Sequence, residues 1–511
     1  MSRRAVNLVV CIVVAVLSLA ILANSMTKPL GRDEQMYCTA GALMARGQLV
    51  YRDFSYPAQM PYHPLLYAGL FKALDTTRYL LVGRVTSVAA DILAVICIVG
   101  IYRRLFRYFP VSGGIFGLAA AVLYVFNPSV DYSNGYAWNH DIVFMLVLVS
   151  FWLLISVDYE SKSRYWRISL VGILLTLATW MRVTTAVVEL VFFLGVLIRS
   201  GGSIQKRCKT ALPFVVGAAI VSIWPVWVIA QAPEAFILNI FRIPVLYGRW
   251  LHEIGMVHDK GRLIIASLTT PGYAMLVVTG ICLFLAVLCR RGRLSRFDKA
   301  GVGFAALLPV VFFVIALIPP TMWRQYMAMP VPFLIISFAY SLLYLRKAAE
   351  KREVGGGFKM AWILIAASVF VSVVSYPVVL QRIPALLNPK EWAANRLHET
   401  AGDIAENTSG RKLILTLAPL YAIEGGCDIY TELSAGSIIY RIADSLSATE
   451  RDVTHTVGPE TLAGMLARAE PSAVVLNVEF DFLEKPLFEQ AVGADWEKKV
   501  YPDHSTAYFR H

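Results

Sequence analysis

The sequence predicts a polytopic α-helical membrane protein of about eleven transmembrane helices that carries a C-terminal α/β soluble domain. Three observations predict it. Of 511 residues 57% are hydrophobic and the mean hydropathy is +0.59, against roughly 45–50% apolar usage in soluble domains. Basic residues recur in every other loop, and the composition turns polar after about residue 377.

Apolar stretches long enough to span, about 17–25 residues each, lie near 6–24, 79–101, 113–127, 140–157, 168–181, 184–198, 211–230, 264–289, 301–318, 327–345 and 358–376. With a cytoplasmic N-terminus, the inner segments hold Arg3 and Arg4; Arg103, Arg104 and Arg107; Lys162, Arg164 and Arg167; Lys206, Arg207 and Lys209; Arg290, Arg291, Arg293, Arg296 and Lys299; and Arg346, Lys347, Lys351 and Arg352. That is the positive-inside pattern of a plasma-membrane protein. It accounts for most of the +12 formal charge and removes the reason to invoke nucleic acid. The first stretch follows Arg3 and Arg4 like a signal peptide, but it shows no clear small-x-small cleavage site and reads as a retained anchor.

An odd number of spans leaves the tail outside. The expected division is a transmembrane domain, 1–376, with a first outer loop at 25–78, and an outer domain at 377–511, periplasmic or extracellular. Within the tail, 389–407 reads as an amphipathic helix, 412–417 as a strand, 459–469 as a helix, 473–478 as a buried strand and 506–510 as a last strand. In the first outer loop, 34–46 and 64–74 read as helices too short to span. Of seven cysteines only Cys38 and Cys427 would face an oxidising space; a disulfide between them has no other support, and no Cys/His spacing suggests a metal.

The acidic pair Asp33 and Glu34 follows directly on the first span. Asp33 reads as the N-cap of the helix from Glu34, with Glu34 favourable in the first turn; the same geometry holds a carboxylate where it can take a proton from a hydroxyl. Arg182 lies between two apolar runs, where a charge costs at least about 2.5–3.5 kcal/mol and usually faces a cavity, a partner or a pathway; snorkelling or pairing with Glu189 is the plain alternative. Arg324, Arg242 and Arg249 are further outer cations, suited together to a phosphate anion. His63 would stand near Asp33 if the loop folds back, and His140 with Asp141 opens a span where an acid is costly unless it lines water. Walker, HExxH and GxSxG motifs are absent from the sequence.

The first loop, in Asp33-Glu34-Gln-Met-Tyr37-Cys-Thr-Ala40, then Arg46-Gly47, Tyr51-Arg-Asp53-Phe54 and Pro61-Tyr-His63-Pro64, resembles the GT-C membrane glycosyltransferases. The nearest groups are the bacterial aminoarabinose and galacturonic acid transferases of lipid A and core oligosaccharide and the protein O-mannosyltransferases. Leu177-Ala-Thr-Trp-Met-Arg182 and Arg324-Gln-Tyr326 with Pro330 and Pro332 are similar to later segments of the same proteins. Two departures stand out. Leu65 follows Pro64 where a second proline is common, and His63 occupies a position that is often Lys in the aminoarabinose enzymes.

The resemblance implies a GT-C-like fold, a polyprenyl-phosphate sugar as donor, and inverting transfer of a hexosyl or pentosyl group to an envelope glycan, lipid or protein acceptor, lipopolysaccharide included, on the outer side of the bacterial inner membrane. Asp33 is then the expected base and Glu34 its positioning or ligating partner. Arg182, Arg324, Arg242 and Arg249 would face the donor phosphate, and Tyr37, His63, His140, Asp141 and Tyr326 would position substrate. No cofactor is required, although a hard divalent cation on Asp33 and Glu34 is compatible with the chemistry. Two other readings compete: a transporter or flippase of a lipid-linked sugar, which would want a repeated architecture not visible here, and a scaffold, which leaves the acidic loop without a purpose.

Overall fold

A computed structural model describes residues 2–257, 259–289, 296–319, 322–350 and 355–510. His258, 290–295 and 351–354 lie outside the described residues, and with them Arg290, Arg291, Arg293, Lys351 and Arg352 of the segments expected on the inner side.

The predicted apolar stretches are largely helical, but the one expected at 264–289 is divided at Thr269 and Thr270, before Pro271, into two helices. The chain runs through α1 (Arg3–Thr27), α2 (Arg32–Ala45), α3 (Tyr62–Leu74), α4 (Tyr79–Leu105), α5 (Pro110–Val125) and α6 (Pro128–Ser133). It continues through α7 (His140–Ile155), α8 (Arg164–Thr179), α9 (Ala186–Arg199), α10 (Ile204–Gln231), α11 (Pro233–Ile237) and α12 (Ile243–Glu253). Next come α13 (Lys260–Leu268), α14 (Pro271–Leu288), α15 (Arg296–Leu317), α16 (Val331–Glu350) and α17 (Gly355–Ser375). Among the described residues six helices are long and apolar enough to cross a membrane, and α5, α7 and 301–317 are shorter apolar ones. The chain is a multi-pass membrane protein. Residues 355–357, expected in an inner loop, instead begin α17.

Helix α4 lies at the centre, touching α1, α5, α7 and α16. Helices α8 and α10 approach closely because Gly172 presents no side chain; a Cβ there would come within 2.3 Å of the Phe214 carbonyl oxygen. One end of the bundle gathers the basic residues: Arg103 of α4 donates to Asn7 of α1, and Arg346 of α16 lies over Phe109 and Phe358. The other end carries α2, α3, α6, α12 and the tail.

The tail is an α/β domain. Its parallel strands β1 (Leu413–Thr416), β2 (Asp428–Ile429) and β3 (Ala473–Leu476) adjoin the antiparallel pair β4 (Glu497–Val500) and β5 (Thr506–Phe509), in the order β2-β1-β3-β5-β4. The predicted first helix is observed at Ala393–Asn407 and the second at Leu462–Arg468. This domain docks through polar ties at buried positions. The Glu424 carboxylate accepts from the Leu80 amide at the start of α4, 2.7 Å, and Gln35 of α2 accepts from the Leu420 amide, 2.9 Å. First-loop residues such as Met36, Tyr37 and Leu43 belong to one apolar core with Leu397, Ile404, Tyr421 and Phe509. Cys38 and Cys427 are free, buried thiols.

Replacing Gly172 by Ala forces α8 and α10 apart and is expected to cost roughly 1–3 kcal/mol, read as a lower unfolding temperature in detergent. Gly402→Ala, on a tail helix with open space around the position, is the control and leaves that temperature unchanged or raised.

Candidate functional site

The site begins with a helix cap. Gly31 precedes α2 in an extended conformation and Glu34, the third helical residue, reaches back to accept from the Gly31 amide at 2.7 Å. Asp33 therefore is not the N-cap that the sequence suggested. It sits inside the first turn and its carboxylate is released from capping.

Glu34 is fully engaged. One oxygen accepts from Ala137 N at 2.7 Å and Arg84 Nε at 2.9 Å, and the other from Gly31 N and from Arg84 Nη2 at 2.8 Å. Arg84, also wholly buried, gives its other N–H groups to the carbonyls of Ser25, Lys28 and Pro29. Five donors and four acceptor sites are thus matched, the full capacity of a guanidinium and a carboxylate. Arg84 was missed in the sequence although it is a charge within an apolar span, the signal that singled out Arg182.

Among the described residues none hydrogen-bonds the Asp33 carboxylate. Burial pushes its pKa up to about 6; Arg441 of the tail opposes that rise, Glu34 adds to it and Arg32 opposes it. The phenols of Tyr37, Tyr247 and Tyr326 also lie within its electrostatic reach. Arg441 is held between elements: it donates to Glu479 at 2.8 Å, Ser437 at 3.0 Å and Tyr247 of α12 at 3.1 Å. Glu479 also pairs with Arg32, the residue before Asp33, at 3.2 Å. No periodicity links positions 33, 247, 441 and 479, and the sequence reading left Arg441 without an assignment.

Arg182 follows α8 with an extended backbone. It donates to the His140 ring at 2.9 Å, and its guanidinium lies 5.5 Å from the centre of the Tyr326 ring. Asn139 ties this segment to the first loop, donating to Gln59 at 2.9 Å and to the Met181 carbonyl at 3.0 Å. Tyr37 and Tyr326 each lie within electrostatic reach of both Asp33 and Arg182, so a carboxylate and a guanidinium share a pair of phenols. Glu189, the alternative partner for Arg182, instead accepts from Thr176 and Thr179.

The remaining candidates make other contacts. His63 is buried in an aromatic box, 4.8 Å from the Tyr37 ring and 4.3 Å from Tyr67. Burial pushes its pKa down to about 3 against a weaker pull from the Trp138 backbone, which keeps the imidazole neutral. Asp141 accepts from the Gly135 amide at 2.9 Å. Arg242 pairs with Glu450 of the tail at 3.6 Å, and Arg249 is exposed on α12. Arg324 lies over Tyr132, 4.8 Å from the ring centre, beside the Asp131–Arg382 pair. The expected convergence of four arginines is not the arrangement observed: Arg182 lies within electrostatic reach of the same phenols as Asp33, whereas the side-chain partners of Arg242 and Arg324 belong to other clusters.

A cation held jointly by Asp33 and Glu34 does not fit, because Glu34 has no lone pair left. Among the described residues no group of three His, Cys, Asp or Glu side chains could hold a metal ion.

No protein-family model and no curated protein sequence matches the chain. Solved structures do. ArnT from Cupriavidus metallidurans bound to undecaprenyl phosphate superposes with a TM-score of 0.62 at 13% identity, over 99% of this chain and 98% of that one. The oligosaccharyltransferase of Archaeoglobus fulgidus in complex with Zn and sulfate gives 0.51 at 11% identity, over 97% of this chain and 73% of its own. The archaeal oligosaccharyltransferase AglB from Archaeoglobus fulgidus, in complex with an inhibitory peptide and a dolichol-phosphate, gives 0.50 at 10% identity, over 98% of this chain and 74% of its own. Both proteins are GT-C glycosyltransferases. The chain has the GT-C fold.

Because Glu34 and Arg84 satisfy one another, removing one leaves the other buried without its partner. Glu34→Gln is expected to lose about 3–5 kcal/mol of stability, measured by thermal unfolding in detergent. The double variant Glu34→Gln/Arg84→Met loses less than the sum of the two single changes.

Proposed function

We propose that this protein is an inverting glycosyltransferase that moves a sugar from a polyprenyl-phosphate donor to an envelope glycan, lipid or protein acceptor. One observation carries the reading: Asp33, a half-buried carboxylate with no hydrogen-bond partner among the described residues, and a cation, Arg182, both lie within electrostatic reach of Tyr37 and Tyr326 at one end of a GT-C fold. The lipid phosphates bound to the structural neighbours support this class of donor.

In this mechanism the acceptor hydroxyl oxygen attacks the anomeric carbon from the side opposite the phosphate. The new C–O bond forms as the bond from that carbon to the phosphate oxygen breaks, which inverts the centre. Asp33 takes the hydroxyl proton, a contribution of typically 10²–10⁴-fold. The bonding electrons leave with the lipid phosphate, whose growing charge meets Arg182 in a site already arranged for it. Tyr37 and Tyr326 position substrate between the two groups. Glu34 acts through the backbone as a positioning residue, and His140 orients Arg182. Arg441 stabilises the ionised form of Asp33, so the tail contributes to the base. Every step is carried by the chain's own side chains, and a divalent cation at Asp33 would need ligands other than Glu34.

The test uses the purified full-length protein in lipid with a radiolabelled polyprenyl-phosphate sugar and an envelope extract as acceptor source. The expected outcome is loss of label from the carrier and its appearance in product. A flippase would exchange the labelled lipid between leaflets with its glycosidic bond intact, and that result would overturn the proposal. The active form of Asp33 is deprotonated, so the transfer rate falls as pH drops through about 6. Arg441→Gln removes a cation that lowers the proton affinity of Asp33, and the acid limb moves to higher pH.

A further inference from the structure

At the end of the bundle opposite Asp33, a cleft of about 570 Å³ opens between α1 and α7, with α4 as its floor. Its size falls within the roughly 300–1,000 Å³ of small-molecule sites. Its walls are apolar, with Val14 from α1, Ile96 from α4 and Trp152 from α7. The indole packs directly on Gly100 of α4, where a Cβ would lie 2.6 Å from the ring. One α4 face therefore runs from Ile96 through Gly100 into Arg103 and Arg104, and Arg107, in the turn that follows α4, lines the same cleft. Among the described residues no carboxylate lines it. Arg103 is drawn to the α1 wall, donating to Asn7 at 2.7 Å, and Arg107 lies over Tyr108.

A basic inner loop by itself sets topology. A groove with an apolar upper part and three arginine side chains along its foot has, in addition, the polarity of a lipid standing upright in a leaflet, chain above and anionic headgroup below. Basic pockets between helices on the cytoplasmic side are suited to such headgroups. We propose that this cleft is a binding site for one anionic glycerophospholipid of the leaflet opposite the candidate active site. Its acyl chain lies against Val14, Ile96 and Trp152, and its phosphate is met by Arg103, Arg104 and Arg107. The occupant is a structural lipid and takes no part in the transfer proposed above; its site and that reaction stand or fall separately.

The experiment is native mass spectrometry of the full-length protein released from mixed micelles containing phosphatidylglycerol and phosphatidylcholine. One phosphatidylglycerol is expected to be retained in preference to phosphatidylcholine. Substituting Gln at Arg103, Arg104 and Arg107 together weakens its retention about a hundredfold, from the ordinary contribution of a basic residue near an anionic headgroup. Because those arginines also set topology, a second variant keeps them: Cys11→Trp fills the exposed α1 side of the cleft and likewise releases the lipid. Equal retention of both phospholipids, or phosphatidylglycerol retention unchanged in Cys11→Trp, would overturn the proposal. Displacement by equimolar polyprenyl phosphate would overturn it too, by showing that the cleft prefers the carrier.

Discussion

The buried pair of Glu34 and Arg84 is the constraint on which the candidate site depends. A carboxylate and a guanidinium with no exposed surface are costly to desolvate, and the cost is offset only when every donor and acceptor is matched. Here the matching draws in four separate pieces of chain: the end of α1 through the Ser25 and Lys28 carbonyls, the turn into α2 through Gly31, the second turn of α4 through Arg84, and the loop before α7 through Ala137. The position of α2 against α4 follows from that pairing. So does the release of Asp33, because Glu34 performs the capping that Asp33 would otherwise do.

The tail enters the same arrangement. Glu424 ties it to the start of α4 and Gln35 ties it to α2, while Glu479 bridges Arg441 and Arg32. An arginine some four hundred positions away in sequence thereby becomes the leading counter-charge to Asp33. The shared apolar core of first loop and tail makes this a packed interface. Loss of tail docking would change the charge around the base as well as its exposure.

Much of the fold was legible because hydropathy and helical period are local properties. The apolar stretches are largely helical, 264–289 being split into α13 and α14, and the predicted strands at 412–417, 473–478 and 506–510 appear within a residue or two. Strands β2 and β4 were not read: β2 is two residues long, and Glu497-Lys-Lys-Val500 is a charged, largely exposed edge strand without the alternation of a buried one. At the site, the chemical character of Asp33, Glu34 and Arg182 was legible, since charge beside apolar sequence demands a reason. Their division of labour was not. Gly31 gave no hint that it would be the cap, and sharing a side of the membrane did not bring Arg242 or Arg324 into the cluster around Arg182. Arg441 and Tyr247 were out of reach for a simpler reason: their meeting is a tertiary event.

The central claim is that Asp33, freed by Glu34, is the base for transfer from a lipid phosphate. It is tested most directly by the single-turnover rate constant of Asp33→Asn with saturating polyprenyl-phosphate sugar, together with donor binding measured on the same preparation. Loss of the base predicts a rate lower by about 10²–10⁴-fold with donor affinity preserved. A variant that transfers sugar at the wild-type rate would contradict the account.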